Sequence, residues 1–328
     1  MKSRLPVIIS AALGLALFIY VLRQTGISEI AANVRGLGAG FLLILGISSL
    51  RYLSRSLAWL RCMAPGERGV GFWALWRARL VGEAVGDLTF GPVVAEPLRL
   101  IALGDRVTLA SGVSSLTVEN IAYTVSSCLM VMAGAASLLA GFGLAGSARA
   151  AMLGALGAVS AVVLASILFI RRRWAIGSAV ASALAHRLIA DPARRETLDG
   201  HIARLRDLEE YVFDFYSRRP LDFLLVGLCE AAFHAGGVLE IYATLTLLGV
   251  ETTLATAFLL ESVNRAINIA FIFVPALVGV DEALTKLLTE TLRMGGAAGV
   301  TLAIVRKIRM FFWIGIGLVF LSMSRRRK

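Results

Sequence analysis

Polar side chains interrupt an otherwise apolar stretch in the last third of the chain. Among the polar residues of the stretch 261–286, ESVNRAINIAFIFVPALVGVDEALTK, are an amide, a guanidinium and two carboxylates around a proline. These residues are Asn264, Arg265, Asp281, Glu282 and Pro275. Ionised groups persist at membrane depth only where they are buried in protein or line a wet cavity. The stretch therefore predicts a binding site for a polar group inside an apolar protein.

A second stretch, 72–103, has the same character. Glu96 and Arg99 follow Pro92, just as Asp281 and Glu282 follow Pro275. Two full membrane spans need about forty residues, which is more than this stretch contains. It therefore predicts a re-entrant pair of broken helices, with the prolines and glycine at the breaks.

The composition classifies the chain as a membrane protein. Of its 328 residues, 58% are hydrophobic and 17% are charged, and the mean hydropathy is +0.78. We predict an all-α polytopic membrane protein, a single transmembrane domain over 1–328, with about six full spans and two re-entrant or broken helical hairpins. The predicted spans are 5–22, 39–60, 109–139, 149–170, 221–248 and 296–323. Glu119 and Arg306 lie inside two of them and are predicted to face protein or water rather than lipid.

Basic residues predict the orientation of the chain. Its formal net charge is +11, and Arg clusters lie beside the ends of apolar segments, as the positive-inside rule expects. This placement favours topology over nucleic-acid binding, so no nucleic acid is predicted as a partner. We predict cytoplasmic N- and C-termini in the inner (cytoplasmic) cell membrane. Segment 174–219 is predicted to be a cytoplasmic amphipathic elbow with its helix along the membrane interface.

The predicted orientation gives the two hairpins opposite directions. Each half, 39–140 and 221–323, consists of a full span, a hairpin and a polar-bearing span. This order is typical of inverted-topology transporters, in which broken helices meet near the midplane. Segment 252–293 is also long enough for two full spans, and that alternative stays open.

Metal and cofactor chemistry is not indicated. The three cysteines, Cys62, Cys128 and Cys229, are isolated, and only three histidines are present. Glu230 and His234 share a helical face, but two ligands do not form a metal site, and a buried hydrogen-bonded pair is favoured. We predict no metal, no cofactor and no enzymatic activity.

The order of residues in the two hairpins matches a known pattern of Pro, small residue, acid and Arg, followed by Pro, Gly and acid. The matching residues are Pro92, Ala95, Glu96 and Arg99, then Pro275, Gly279 and Glu282. In these residues the chain resembles the lysylphosphatidylglycerol synthase transmembrane-region family of flippase-like membrane proteins. The segment FVPALVGVDEA is similar to members linked to hopanoid export. Two departures occur: Ala276, Leu277 and Val278 stand where a glycine pair is usual, and Asp281 stands where an Arg is common.

The resemblance implies movement of a lipid, or of a lipid-linked sugar, between leaflets. The polar path predicted for a lipid with an anionic or polar headgroup consists of Glu96, Arg99, Glu119, Asn264, Arg265, Asp281, Glu282 and Arg306. The predicted helix breaks are Pro92, Pro275 and Gly279. A homo-oligomer is compatible with the sequence. Two alternatives are an intramembrane lipid-modifying enzyme and a non-transporting membrane scaffold.

Overall fold

The computed structural model describes residues 27–89, 92–141, 146–188, 192–271 and 274–325. The predicted first span, 5–22, lies outside the described residues. Within them the regular structure is entirely helical. The α-helices are α1 (Ile27–Gly36), α2 (Gly40–Cys62), α3 (Phe72–Gly86), α4 (Pro92–Leu103), α5 (Leu109–Gly141), α6 (Gly146–Arg172), α7 (Ile176–Leu188), α8 (Pro192–Arg218), α9 (Pro220–Leu247), α10 (Leu254–Ala270), α11 (Val280–Thr291) and α12 (Gly296–Arg325).

Four of these helices are long and apolar enough to cross a membrane: α2, α5, α9 and the Met152–Arg172 part of α6. The last helix, α12, has 30 residues, or about 45 Å at 1.5 Å per residue. Its apolar sequence is interrupted by Arg306, Lys307 and Arg309. The protein is therefore an all-α polytopic membrane protein.

The two polar stretches form helices too short to cross a membrane. Helices α3 and α4 have 15 and 12 residues, and α10 and α11 have 17 and 12. At 1.5 Å per residue the longest of them is about 25 Å, less than the ~30 Å hydrocarbon layer. Segment 252–293 therefore does not contain two helices of spanning length. Pro97 lies inside α4 instead of at a break, which corrects the prediction that every proline marks one.

Helix packing repeats in the two halves. The first long helices of each half, α2 and α9, pack against each other. The last long helix of each half packs on the first hairpin helix of the other half, so that α12 contacts α3 and α5 contacts α10. The hairpins themselves differ, because α3 packs mainly on its partner α4, whereas α11 packs mainly on α12. The crossed contacts are those expected of an inverted repeat, and the division into two repeat halves stays a prediction.

Two glycines allow these crossed contacts. A Cβ added at Gly134 of α5 would lie 2.3 Å from the Ser262 side chain on α10. A Cβ at Gly317 of α12 would lie 2.3 Å from the Leu80 carbonyl oxygen on α3. Small residues allow this close approach of membrane helices. Each half therefore carries one glycine at the contact with the opposite hairpin.

The predicted elbow contains two helices, α7 and α8. Ile202, Val212 and Phe215 of the predicted apolar stripe are buried, and the last two pack in a cluster with Val118 of α5 and Cys62 of α2. Much of the stripe is therefore covered by the helix bundle, and the position of the elbow along the cytoplasmic membrane interface stays a prediction. This packing stabilises the fold, because burial of apolar surface contributes about 25 cal/mol per Å² removed from water.

Polar contacts also fix the elbow. The Tyr211 hydroxyl of α8 donates to the Cys62 carbonyl at 2.6 Å, and burial raises the pKa of this phenol. Glu209 of α8 accepts hydrogen bonds from the backbone N–H of Gly177 and the hydroxyl of Ser178, at 2.8 and 2.6 Å. This carboxylate satisfies N–H groups at the start of α7 that have no partner within their own helix.

Candidate functional site

Charged side chains are buried between the helices of both halves. Ion pairs within 4.0 Å divide the described groups into three clusters, which we name after their central carboxylates: the Glu119, Glu261 and Asp281 clusters. A buried charge is costly unless it is paired and hydrogen-bonded, so each cluster must be satisfied internally or by a ligand.

The Glu119 cluster lies between α2, α3 and α5. Glu119 is fully buried and accepts a hydrogen bond from Arg55 at 2.8 Å. Its second cation, Arg79, lies at 3.0 Å and is also fully buried. Arg79 in addition donates to the Arg55 carbonyl oxygen at 3.1 Å. One carboxylate thus holds two guanidinium groups from two helices.

The remaining members of this cluster are Glu83, Arg99 and Glu230. Arg99 of α4 pairs with Glu83 of α3 at 2.7 Å, which joins the two helices of the first hairpin. Glu230 of α9 approaches Arg55 only to 4.0 Å. Glu96, at the margin of the cluster, accepts a hydrogen bond from Asn120 at 2.6 Å.

The Glu261 cluster is a chain of alternating charges. Its order is Arg309, Glu240, Arg51, Glu261, Arg265. The first three links measure 2.6, 2.8 and 3.6 Å, and the Arg265 Nε lies 2.8 Å from the last carboxylate. The chain has three guanidinium groups and two carboxylates, so it carries one excess positive charge.

Aromatic rings separate the first two clusters. The Arg55 guanidinium lies 3.9 Å from the centre of the Tyr123 ring, and Arg265 donates to the Tyr123 hydroxyl at 3.2 Å. Arg51 and Arg265 lie 4.7 and 4.9 Å from the centre of the Phe233 ring. Guanidinium groups are attracted to aromatic faces, and the attraction is larger where water is excluded. Tyr123 therefore contacts cations of both clusters.

The Asp281 cluster holds the second hairpin against α12. Arg306 lies 3.2 Å from Asp281, and Lys307 lies 2.9 Å from Glu282. The other Glu282 oxygen accepts the Gly279 backbone N–H at 2.8 Å. Glu282 thereby caps the start of α11 and binds a cation at the same time.

The turns of the two hairpins touch each other. The backbone N–H of Ala276, between α10 and α11, donates to the carbonyl oxygen of Asp87, directly after α3, at 3.1 Å. The Lys307 ammonium of α12 donates to the Leu277 carbonyl in the same turn at 3.5 Å. The two broken segments therefore meet in the described structure.

The structure brings the predicted path residues into or beside these clusters. Arg99 and Glu119 belong to the Glu119 cluster, and Arg265 belongs to the Glu261 cluster. Arg306, Asp281 and Glu282 form part of the Asp281 cluster. Glu96 and Asn264 lie at the margins, where Asn264 donates a hydrogen bond to Glu261 at 3.2 Å. Of the predicted breaks, Pro92 is the first residue of α4, Pro275 begins a 3₁₀ turn, and Gly279 precedes α11 at φ 82°. Their role in a path remains a prediction.

Several cluster members were not among the predicted path residues. They are Arg51, Arg55, Arg79, Glu83, Glu230, Glu240, Glu261, Lys307 and Arg309. Some of them could be found by comparing residue positions counted from the start of corresponding helices in the two predicted halves. Arg79 and Glu261 are each the eighth residue of α3 and α10, and Glu83 and Arg265 are each the twelfth.

The long helices that close each half show the same reversal of charge. Glu119 is the eleventh residue of α5, and Arg306 is the eleventh of α12. The matched residues pair mainly within their own half, Arg79 with Glu119 and Arg306 with Asp281.

The predicted Glu230–His234 pair is bridged by a third residue. The Ser126 hydroxyl oxygen of α5 lies 3.0 Å from the His234 Nε2 and 3.5 Å from a Glu230 oxygen. This corrects the prediction of a direct hydrogen bond between the two. Among the described residues no group of three His, Cys, Asp or Glu side chains could hold a metal ion.

A comparison with known families matches nearly the whole chain. The model of the family described as "Lysylphosphatidylglycerol synthase TM region" matches residues 7–317. The chain belongs to this family. Membership gives it a function related to membrane lipids. No curated protein and no solved structure matches the chain.

One departure from the family pattern now has a structural description. Ala276 and Leu277, which stand where a glycine pair is usual, have φ of 51° and 49°. The left-handed region costs a residue with a Cβ about 1–2 kcal/mol, and glycine avoids this cost. The tight turn is therefore present without the glycines, held by the contacts of Ala276 with Asp87 and of Leu277 with Lys307.

Proposed function

We propose that this protein moves an anionic membrane lipid between leaflets, with the headgroup passing the ion-pair clusters where the two hairpins meet. The observation that carries the proposal is the excess positive charge of the Glu261 cluster. Two buried guanidinium groups and the half-buried Arg309 face two carboxylates, so the cluster has one cation in excess. A phosphate or carboxylate headgroup supplies the missing charge and binds guanidinium groups in pairs.

The geometry of Arg309 makes it the best candidate to receive the headgroup. It ends the alternating chain, and its side chain is 17% exposed, the largest value in the cluster. Its Nε is buried without a hydrogen-bond partner among the described residues. Arg265 and Arg306, from the predicted path, pair with Glu261 and Asp281, and their side chains are only 8% and 9% exposed. We therefore assign them to the supporting structure around the headgroup.

The two hairpins supply the moving parts of the proposal. Their helices are shorter than a span, and their turns are joined by one backbone hydrogen bond between Ala276 and Asp87. Re-entrant segments of opposite direction, meeting near the midplane, form the substrate site in inverted-repeat transporters. Separation of the two turns would open the clusters toward one leaflet at a time. This arrangement supports a path through the protein.

Arg309→Gln tests the proposed function. The variant leaves two guanidinium groups with two carboxylates in the Glu261 cluster, so we expect it to fold as the wild type does. In proteoliposomes it should move fluorescent phosphatidylglycerol about tenfold more slowly, equivalent to ~1.4 kcal/mol. The measurement is the fraction of label protected from an added quencher over time.

A matched control separates this effect from a general loss of positive charge. Arg77, on the exposed side of α3, forms no ion pair within the described residues. Arg77→Gln should move the anionic lipid at the wild-type rate. A wild-type rate in Arg309→Gln would refute the assignment of Arg309, and no lipid movement by the wild type would refute the proposed function.

The alternative of an intramembrane enzyme has one observation in its favour, the 3.0 Å contact between Ser126 and His234. Ser126 also donates to the Tyr123 carbonyl at 2.9 Å, in the middle of a 33-residue helix. Backbone N–H groups inside a helix are already hydrogen-bonded and are not free to stabilise an oxyanion. A product formed from lipid extract by the wild type, and lost in His234→Ala, would favour the enzyme over the transporter.

A further inference from the structure

Glu230 is the least well paired of the buried carboxyls in the Glu119 cluster. Its exposed fraction is 1%. Its Oε1 has no hydrogen-bond partner among the described residues, and the nearest cation, Arg55, is 4.0 Å away. Arg55 is itself engaged by Glu119 at 2.6 and 2.8 Å. Glu230 therefore shares a cation that is already bound more closely by another carboxylate.

A count of the charged groups in the Glu119 cluster also singles out Glu230. Three guanidinium groups, those of Arg55, Arg79 and Arg99, face three carboxyls of the cluster, and Glu96 stands beside them as a fourth. One carboxyl is thus left without a counter-ion. Glu119 and Glu83 hold cations at 3.0 Å or less, and Glu96 has the Asn120 amide at 2.6 Å. Glu230 remains as the group for which a proton is the available partner.

The hydrogen bonds of the Ser126 hydroxyl also indicate that Glu230 carries a proton. Its oxygen lies 2.9 Å from the Tyr123 carbonyl, 3.5 Å from Glu230 and 3.0 Å from the His234 Nε2. A hydroxyl has one proton to donate, and the Tyr123 carbonyl can only accept. With that proton given to Tyr123, the contact with Glu230 is a hydrogen bond only if the carboxyl donates, whereas the direction of the His234 contact is set by the tautomer of its ring. A protonated Glu230 carboxyl meets this requirement.

The groups that face this pair come from every helix packed against it. Around Glu230 they are Arg55 of α2, Arg79 of α3, Glu119 and Ser126 of α5, the Tyr216 hydroxyl of α8 and Cys229 of α9 itself. Around His234 they are Arg51 and Arg55 of α2, Tyr123 and Ser126 of α5, and Glu261 and Arg265 of α10. His234 therefore lies between the Glu119 and Glu261 clusters.

We propose that Glu230 is a proton-binding site, connected through Ser126 to His234, and that its loading and unloading couples lipid movement to a proton gradient. The coupling rests on the proposed transport function, whereas the proton site does not. In the relay, which requires the His234 tautomer with its proton on Nδ1, the Ser126 hydroxyl turns from the Tyr123 carbonyl and gives its proton to the unprotonated His234 Nε2, while the Ser126 oxygen takes the proton of the Glu230 carboxyl. The products are a carboxylate, an unchanged hydroxyl and an imidazolium. Because His234 borders Arg51, Glu261 and Arg265, the transferred charge arrives beside the Glu261 cluster.

Infrared spectroscopy of the full chain in lipid nanodiscs tests the proton site directly. The wild type should show the C=O stretching band of a protonated carboxylic acid at neutral pH. Glu230→Gln, which resembles the protonated side chain in shape, should fold and lose intensity in this band. Glu210→Gln, which removes an exposed carboxylate on α8, should leave the band unchanged. An unchanged band in Glu230→Gln would overturn the proposal.

A second variant tests the relay and remains informative if Glu230→Gln does not fold. Ser126→Ala keeps the carboxyl but removes the hydroxyl between it and His234. The band should persist, and its shift on transfer to D₂O should become several-fold slower than in the wild type. A shift at the wild-type rate would overturn the relay.

Transport measured with and without a pH gradient tests the coupling. Wild-type proteoliposomes should move fluorescent phosphatidylglycerol several-fold faster with the gradient in one direction, and Glu230→Gln should move it equally fast under both conditions. Movement by the wild type that ignores the gradient would overturn the coupling and leave the proposed function intact. An absence of lipid movement under any condition would refute the proposed function, and the infrared band would still report on the proton site.

Discussion

At the scale of single residues, Glu119 has the largest number of close cation contacts in its cluster. It is fully buried and lies within 3.0 Å of both Arg55 and Arg79. Removal of one partner from a buried ion pair leaves an uncompensated charge, at a cost of about 3–5 kcal/mol. Glu119 therefore matters for stability mainly because its removal would leave two buried arginines without a counter-ion.

Glu119→Gln is expected to destabilise the fold by about 3 kcal/mol or more, because two buried guanidinium groups lose their carboxylate. The measurement is the thermal unfolding midpoint of the purified protein in detergent. Glu96→Gln is the matched variant, since Glu96 is partly exposed and its Asn120 contact persists with an amide, so a change below about 1 kcal/mol is expected. Equal midpoints for the two variants would contradict this account of Glu119.

The sequence predicted some of these residues and missed others for a physical reason. Asn264, Arg265 and Glu119 are conspicuous because each interrupts an apolar run. Glu230 and Glu240 are equally buried, but their roles depend on Arg55, Arg51 and Arg309, which lie far away in the chain. Only the packing of α2 on α9 brings these charges together. Spacing within one helix does not contain that information.

At the scale of helices, the crossed contacts depend on glycine. Gly317 of α12 faces the backbone of α3, where the Leu80 carbonyl oxygen leaves no space for a Cβ. Gly315, two residues earlier on the same helix, has no neighbouring atom within 4 Å of an added Cβ. The two positions therefore separate the effect of a close contact from the effect of glycine on helix stability.

Gly317→Ala is expected to lower the thermal unfolding midpoint, because α12 must move away from a backbone atom that cannot rotate aside; overpacking of this kind typically costs about 1–3 kcal/mol. Gly315→Ala should leave the midpoint unchanged or raise it slightly, since alanine favours the helix by up to about 1 kcal/mol. A fall of equal size in both variants would show that the α3–α12 contact is not the cause.

Helix type was predictable from composition, whereas helix pairing was not. The long apolar runs predict α2, α5, α6 and α9, which all have spanning length and composition. The short hairpin helices follow from polar residues and from Pro92 and Pro275. The apolar stripe of α8 was also visible, but a stripe does not state whether lipid or protein covers it. The structure supplies the answer through the contacts of Val212 and Phe215 with the bundle.

At the scale of the whole molecule, the two halves share an arrangement and differ in charge. Helix α3 of one half and α10 of the other carry ion-pair residues at matched positions with reversed sign. Their turns are joined through Asp87 and Ala276. Within the clusters, the ion pairs that join the two predicted halves are those of Arg51 with Glu240 and Glu261, and the longer contact of Arg55 with Glu230. Relative movement of the halves would then expose charge that the closed arrangement pairs.

The central claim is that a lipid headgroup passes where the two hairpin turns meet, and reversible cross-linking of those turns tests it most directly. Cysteines at positions 87 and 276, introduced in a protein without its three native cysteines, join backbones that are in hydrogen-bond contact, within reach of a disulfide. Asp87→Cys alone and Ala276→Cys alone are the controls for the substitutions and for the oxidant.

We predict that oxidation of the double variant forms the disulfide and lowers the movement of fluorescent phosphatidylglycerol by about tenfold, equivalent to ~1.4 kcal/mol. Reduction should restore the rate, and both single variants should be insensitive to oxidant. A cross-linked protein that moves lipid as fast as its reduced form would contradict the claim that the headgroup passes between the turns.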